Sequence, residues 1–212
     1  MKITKQQKSI VIIGSFNPVI ITPDWLLENK FITNGDFKQR NIDLINNEFS
    51  IFTIPDINIF VSREKFQLSS NRYEVSELLF DLCKNVMELL IHTPVTKLGV
   101  NQQNTYSLNN VEERNQLGYK LVPQNVWKEI IPTYEGMNLL RITAKRDDEY
   151  DGYKKISVGP SELDDNNVTF SINDHYELSG GCKQLCKIIN DKSIPDDSFE
   201  KICTHILNSI RD

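Results

Sequence analysis

One order of elements occurs twice along the chain, and that repetition restricts the fold more than any motif. The first copy opens with a Val/Ile-rich strand at residues 9–16 and a short helix at 22–30 that carries Trp25. Three strand-like runs follow between residues 48 and 68, then a long amphipathic helix at 71–92. The second copy opens with a strand at 96–108, passes a polar insertion and a helix at 123–131 that carries Trp127, and continues with three strand-like runs between 139 and 172. An amphipathic helix at 197–210 closes it. Each long helix needs a sheet face to cover. The simplest solution is one sheet built from both copies with both long helices on one side. The expected fold is therefore α+β: a twisted antiparallel sheet of two β-α-β-β-β-α pseudo-repeats, residues 1–95 and 96–212, forming a single domain.

Local signals place the elements. Thr22-Pro23 reads as an N-cap followed by the first helical position. Pro55-Asp56, between runs at 49–54 and 57–61, reads as the link of a hairpin. In the long helix Val75, Leu78, Leu79, Leu82, Val86, Leu89 and Leu90 recur at steps of three and four, a wide apolar stripe. Leu140, Ile142 and Ala144 alternate with Arg141 and Thr143, which predicts a half-buried strand. Gly180-Gly181 predicts a hinge before a helix at 183–189, and Phe199, Ile202, Cys203, Ile206, Leu207 and Ile210 stripe the last helix. Residues 42–45 read as a short helix and residues 101–114 as an exposed polar loop or edge segment. Lys2, Lys5 and Lys8 read as a frayed cationic terminus.

Charge and composition exclude some roles. The net charge of −5 argues against a chain that coats nucleic acid, whose footprint is basic, and leaves room for a local basic patch. No apolar run approaches the ~18 residues that span a bilayer, and the run at 10–13 is too short for a signal-peptide core. Cys83, Cys182, Cys186 and Cys203, in a chain without such a signal, read as reduced thiols, so the expected location is the cytoplasm.

Four groups could carry chemistry. Cys182, Cys186, Cys203 and His205 supply the ligand types of a zinc site. Residues two apart on a helix, however, point about 200° from one another, and Cys203 fits the apolar stripe. Core cysteines without a metal are expected. Asp174 and His175 suggest a tuned imidazole, yet strand neighbours point to opposite faces, so Asp174 should not orient His175. The acidic turns at Asp147, Asp148, Glu149 and Asp151 and at Glu162, Asp164 and Asp165 lack the spacing of a calcium loop and read as solvated. The glycines build no phosphate-binding loop. No cofactor is expected.

Two polar segments stand out as contact surfaces. Asn101, Gln102, Gln103, Asn104 and Tyr106 offer adaptable amides and a phenol, and Asn173, Asp174, His175 and Tyr176 form a second cluster after a clear strand. Phe16-Asn17-Pro18 with Trp25, Thr93-Pro94 followed by Leu98-Gly99-Val100-Asn101, and Asn173-Asp174-His175-Tyr176 resemble phrases of an uncharacterised, sporadically distributed bacterial family often found near mobile or phage-defence genes. That resemblance implies a component of a larger assembly. The element order is also similar to the duplicated plan of TATA-binding-protein-like folds, which implies an open sheet face that meets a ligand, nucleic acid or protein. Fold alone does not give function.

The expectation is a non-catalytic protein–protein interaction subunit of a cytosolic bacterial complex in anti-phage defence. It would associate with a protein partner or with itself, without membrane contact and without binding nucleic acid alone. Two alternatives stand: a hydrolase using His175 or the acidic turns, and a nucleic-acid-binding module using the open sheet face.

Overall fold

The computed structural model describes residues 2–131, 133, 136–162, 164–192 and 198–210, and of Tyr73 the backbone alone. The first half runs β1 (Lys2–Gly14), α1 (Pro23–Glu28), α2 (Asn34–Lys38), β2 (Asn41–Ile45), β3 (Phe49–Ile54), β4 (Ile57–Ser62), β5 (Lys65–Ser70) and α3 (Ser76–Leu89). The second runs β6 (Val95–Ser107), α4 (Val111–Leu121), β7 (Leu140–Lys145), β8 (Gly152–Pro160), β9 (Asn167–Glu177), α5 (Gly181–Lys192) and α6 (Ser198–Asn208).

These strands form one antiparallel sheet in the order β2-β3-β4-β5-β1-β6-β9-β8-β7. The central pair is β1 and β6, in register from Lys2 opposite Ser107 to Gly14 opposite Val95. Each half lays its first strand at the centre, sets its last strand beside it and works outward. The repeat is therefore visible in the topology, with β2 as an additional edge strand of the first half. α3 packs on α5 above the central pair.

Strand pleating sends alternate residues to opposite faces. Ile10, Ile12, Phe52, Ile59, Phe66, Leu68, Leu98 and Tyr176 meet α1, α3 and α5 in the larger core cluster. Tyr106, Val158, Val168 and Phe170 meet α4 and α6 in a smaller one. The larger cluster draws on both halves, so the core follows the sheet and not the repeat boundary. Among the described residues the other face of the sheet carries no helix.

Several expectations need correcting. β1 begins at Lys2, because β6 is long enough to pair it throughout, so the lysine-rich start is strand and not a frayed end. Residues 101–107 belong to β6, a central strand paired on both sides, and not to a loop or edge. Residues 111–121 form α4, capped by the Asn110 side chain accepting from the Glu113 backbone N–H at 2.9 Å. Helix 123–131 is absent as such; Gln124–Val126 is a single 3-10 turn, and α4 occupies the place of the first half's α1. Trp25 packs edge-to-face on Phe31 beside the core, while Trp127 is 41% exposed and outside both core clusters, so the two tryptophans are not equivalent.

Residues 42–45 are edge strand β2 and not a helix. β7 is the other edge, and its Ile142 is exposed, not half-buried. The buried stripe of α3 runs through Leu79, Leu82, Cys83, Val86 and Met87, leaving Leu78 and Leu89 outward. The partner of α3 is α5, and not the last helix. Asp197, at the start of that expected helix, and Leu163, inside the second acidic turn, lie outside the described residues.

Candidate functional site

On the uncovered face, register aligns side chains in rows across the central strands. One row reads Ser69, Ser9, Asn101, Asn173, Lys155 and Thr143. The next reads Gln7, Gln103, Ser171, Ser157 and Arg141. A third brings Val11, Gly99, His175 and Tyr153 together. Between the first two rows lies a polar groove of about 460 Å³, bordered by Arg141, Tyr153 and Lys155.

The floor of this groove is tied by side-chain hydrogen bonds. The Asn173 amide donates to Asn101 Oδ1, and Asn101 Nδ2 donates to Ser9 Oγ at 3.2 Å, so one relay spans β9, β6 and β1. The Ser157 and Ser171 hydroxyls lie 2.7 Å apart, and those of Thr105 and Thr169 3.0 Å apart. The His175 ring stacks on Tyr153 with centroids 4.5 Å apart and planes 22° from parallel. Its Nε2 sits 3.0 Å from Glu177 Oε1. That hydrogen bond, with the nearby Lys97 charge, holds the Glu177 carboxyl below its ordinary range.

Asp174 points the other way. It pairs with Arg146, lies 3.0 Å from Lys192 Nζ, and accepts from the Tyr176 hydroxyl at 2.9 Å. The Arg146 side chain is only 2% exposed, has its guanidinium carbon 3.7 Å from the centre of the Tyr176 ring and also pairs with Asp148. Burial pulls the Arg146 pKa down, but the hydrogen bonds with Asp148 and Asp174 outweigh it, so the guanidinium stays charged. Burial, with Asp174 next, pushes the Tyr176 phenol well up. A buried charge network of this kind is stable only while its members remain paired.

The structure therefore splits the residues singled out in the sequence. Asn101, Gln103, Asn173 and His175 share the uncovered face, where β6 and β9 lie side by side. Gln102, Asn104, Tyr106, Asp174 and Tyr176 point to the helices. Asn104 is fully buried, with Nδ2 3.5 Å from the Tyr106 hydroxyl; burial pushes that phenol up to about 12. Asp174 and His175 do not touch each other's side chains, as strand alternation requires.

Arg141, Tyr153, Lys155 and Ser157 belong to the groove and were not singled out. Two signals could have found them: the alternation within β8, and the paired glutamines Gln6-Gln7 and Gln102-Gln103. These pairs mark equivalent places in the two first strands, where Gln7 stands opposite Gln103. Gly152 opens β8 at φ +139°, where a Cβ would fall 2.0 Å from the His175 carbonyl oxygen, so glycine is needed to place Tyr153 beside His175.

The cysteines are packing residues. Cys182 lies in the larger cluster and Cys203 in the smaller; burial pushes their thiols up to about 11 and about 12. Among the described residues no group of three or more His, Cys, Asp and Glu side chains is placed to hold a metal ion. No described helix is long and apolar enough to cross a membrane.

Among the described residues the sheet ends at β2 and β7. Ile42 is 44% exposed and Leu44 41% on β2, and Ile142 is 54% exposed on β7. Comparison of the chain with protein-family models and with curated proteins yields no match.

Proposed function

We propose that this chain is a non-catalytic interaction subunit of a cytosolic bacterial complex that acts in defence against phage. The observation that carries the reading is the state of the sheet edges. Both β2 and β7 end the sheet, and both turn large apolar side chains to solvent. An edge with open backbone groups and apolar side chains is a template for strand addition by a protein partner. The acid–base candidates are engaged elsewhere: Asp174 in the Arg146 network, His175 between Tyr153 and Glu177. The resemblance to proteins found near phage-defence genes supplies the cellular setting.

The test is recovery of the tagged chain from its native host, followed by mass spectrometry. Wild type is expected to retain a protein partner or a second copy. Ile42→Asp with Leu44→Asp, or Ile142→Asp, should lose it while keeping the fold. Recovery of the same lone monomer from wild type and from both edge variants contradicts the reading.

A further inference from the structure

We infer that the uncovered face of the sheet binds single-stranded nucleic acid, with the groove between β6 and β8 holding an unpaired base. This rests on the reading that the chain works through its surfaces, but on a different surface from the edges.

The carrying observation is a segregation of charge. Among the described residues, Asp174 and Glu177 are the two acidic residues found in the six strands β5, β1, β6, β9, β8 and β7; the other described acids lie outside these strands. Asp174 points to the helices, which leaves Glu177, 3.8 Å from Lys97. The same face carries Lys5, Lys65, Lys97, Arg141 and Lys155, placed there by register and by their contacts. A chain with net charge −5 thus turns a basic face outward. Screening decides which charge a ligand feels: at physiological salt the Debye length is about 8 Å. A polyanion lying on this face meets its cations first.

The groove chemistry selects an unpaired base. Asn101, Gln103 and Asn173 present amide donors and acceptors, and Ser157 and Ser171 present hydroxyls; these pair with base edges that a duplex occupies. Tyr153, stacked on His175, gives an aromatic surface at the groove wall, and the exposed Arg141 guanidinium gives a second planar group. Stacking platforms beside cations are how single strands are held with little sequence preference. Lys155, 5.0 Å from the centre of the Tyr153 ring, is placed to meet the phosphate of a base stacked there.

The experiment is fluorescence anisotropy of the full chain with labelled dT12 and rU12, and with a duplex of equal length, between about 50 and 200 mM salt, the range over which phosphate contacts show. Wild type should bind a single strand in the micromolar range or tighter at the low end and prefer it to duplex. Arg141→Ala with Lys155→Ala should weaken binding at least tenfold and lower the log–log salt slope by at least about 0.7, the one phosphate contact at Lys155. Tyr153→Ala should weaken it about tenfold while removing little of the salt slope. Lys183→Ala, on the exposed side of α5, should change nothing. Circular dichroism confirms that each variant is folded.

No binding by wild type, equal or better binding to duplex, or equal weakening by Lys183→Ala overturns the inference. So does a result in which Arg141→Ala with Lys155→Ala releases a protein partner and leaves oligonucleotide binding unchanged. Loss of a partner in the edge variants with no oligonucleotide bound by wild type sinks this inference alone and leaves the interaction subunit standing.

Discussion

Asn101 stands opposite Asn173 across the β6–β9 ladder, and the Asn173 amide donates to the Asn101 side-chain oxygen while Asn101 donates onward to Ser9. The relay ties a strand of the first half to two strands of the second beneath the groove. Asn101→Leu removes both bonds and leaves the Asn173 donor without this acceptor. A lost hydrogen bond of this kind costs about 1 kcal/mol. For a chain of this size the thermal midpoint should fall by about 2–4 °C. A melt that superposes on wild type would show that the relay holds nothing together.

The core gives a graded expectation. Leu82 on α3 and Leu207 on α6 are buried. Leu82→Ala and Leu207→Ala should each cost about 2–5 kcal/mol. Ile206 is only partly buried, one position off the face that α6 presents to Phe199 and Cys203. Ile206→Ala should cost clearly less than Leu207→Ala. Urea midpoints at constant slope measure the difference, and equal losses at 206 and 207 would show that α6 is rotated from the position described.

Acid should test the Arg146 network. The hydrogen bond from Arg146 depresses the Asp148 carboxyl to about 2, against about 3.9 for an unfolded aspartate. A carboxyl depressed in the folded state adds stability above its unfolded pKa, and that stability is lost as pH falls from about 4 to about 2. Asp148→Asn should therefore flatten the fall in stability over that window, measured by urea unfolding at pH 5 and pH 2.5. An unchanged pH profile would mean that the pair does not form in solution. Asp174→Asn should destabilise at neutral pH, because Arg146 and Lys192 both rely on that carboxylate.

The sequence was most readable where a single periodicity governed a segment. The hairpin at Pro55-Asp56, the Thr22 cap and the three strands after Leu139 all formed because local chemistry and the sheet agreed. Reading failed where burial overrode polarity. Asn101, Gln103 and Asn104 look like loop residues, but β6 satisfies their backbone on both sides, and Asn104 finds Tyr106 in the interior. α4 has few apolar positions, with Leu117 buried, and was legible only through Asn110 and Glu113, three residues apart in the manner of a capping box. The uncovered face was hidden for another reason: its residues come from strands far apart in the chain, and only the register assembles Arg141, Lys155 and Asn101 into one surface.

Partner retention and biological activity, scored together on the same variants in the native host, test the claim that this chain acts by contact and not by catalysis. His175→Ala should leave both intact or weaken them in parallel, while Ile42→Asp with Leu44→Asp or Ile142→Asp should abolish both. Loss of a true general base costs orders of magnitude in rate and leaves assembly alone. A His175→Ala variant that keeps its partner and its oligonucleotide binding and still loses all activity would contradict the account and make the uncovered face a catalytic site.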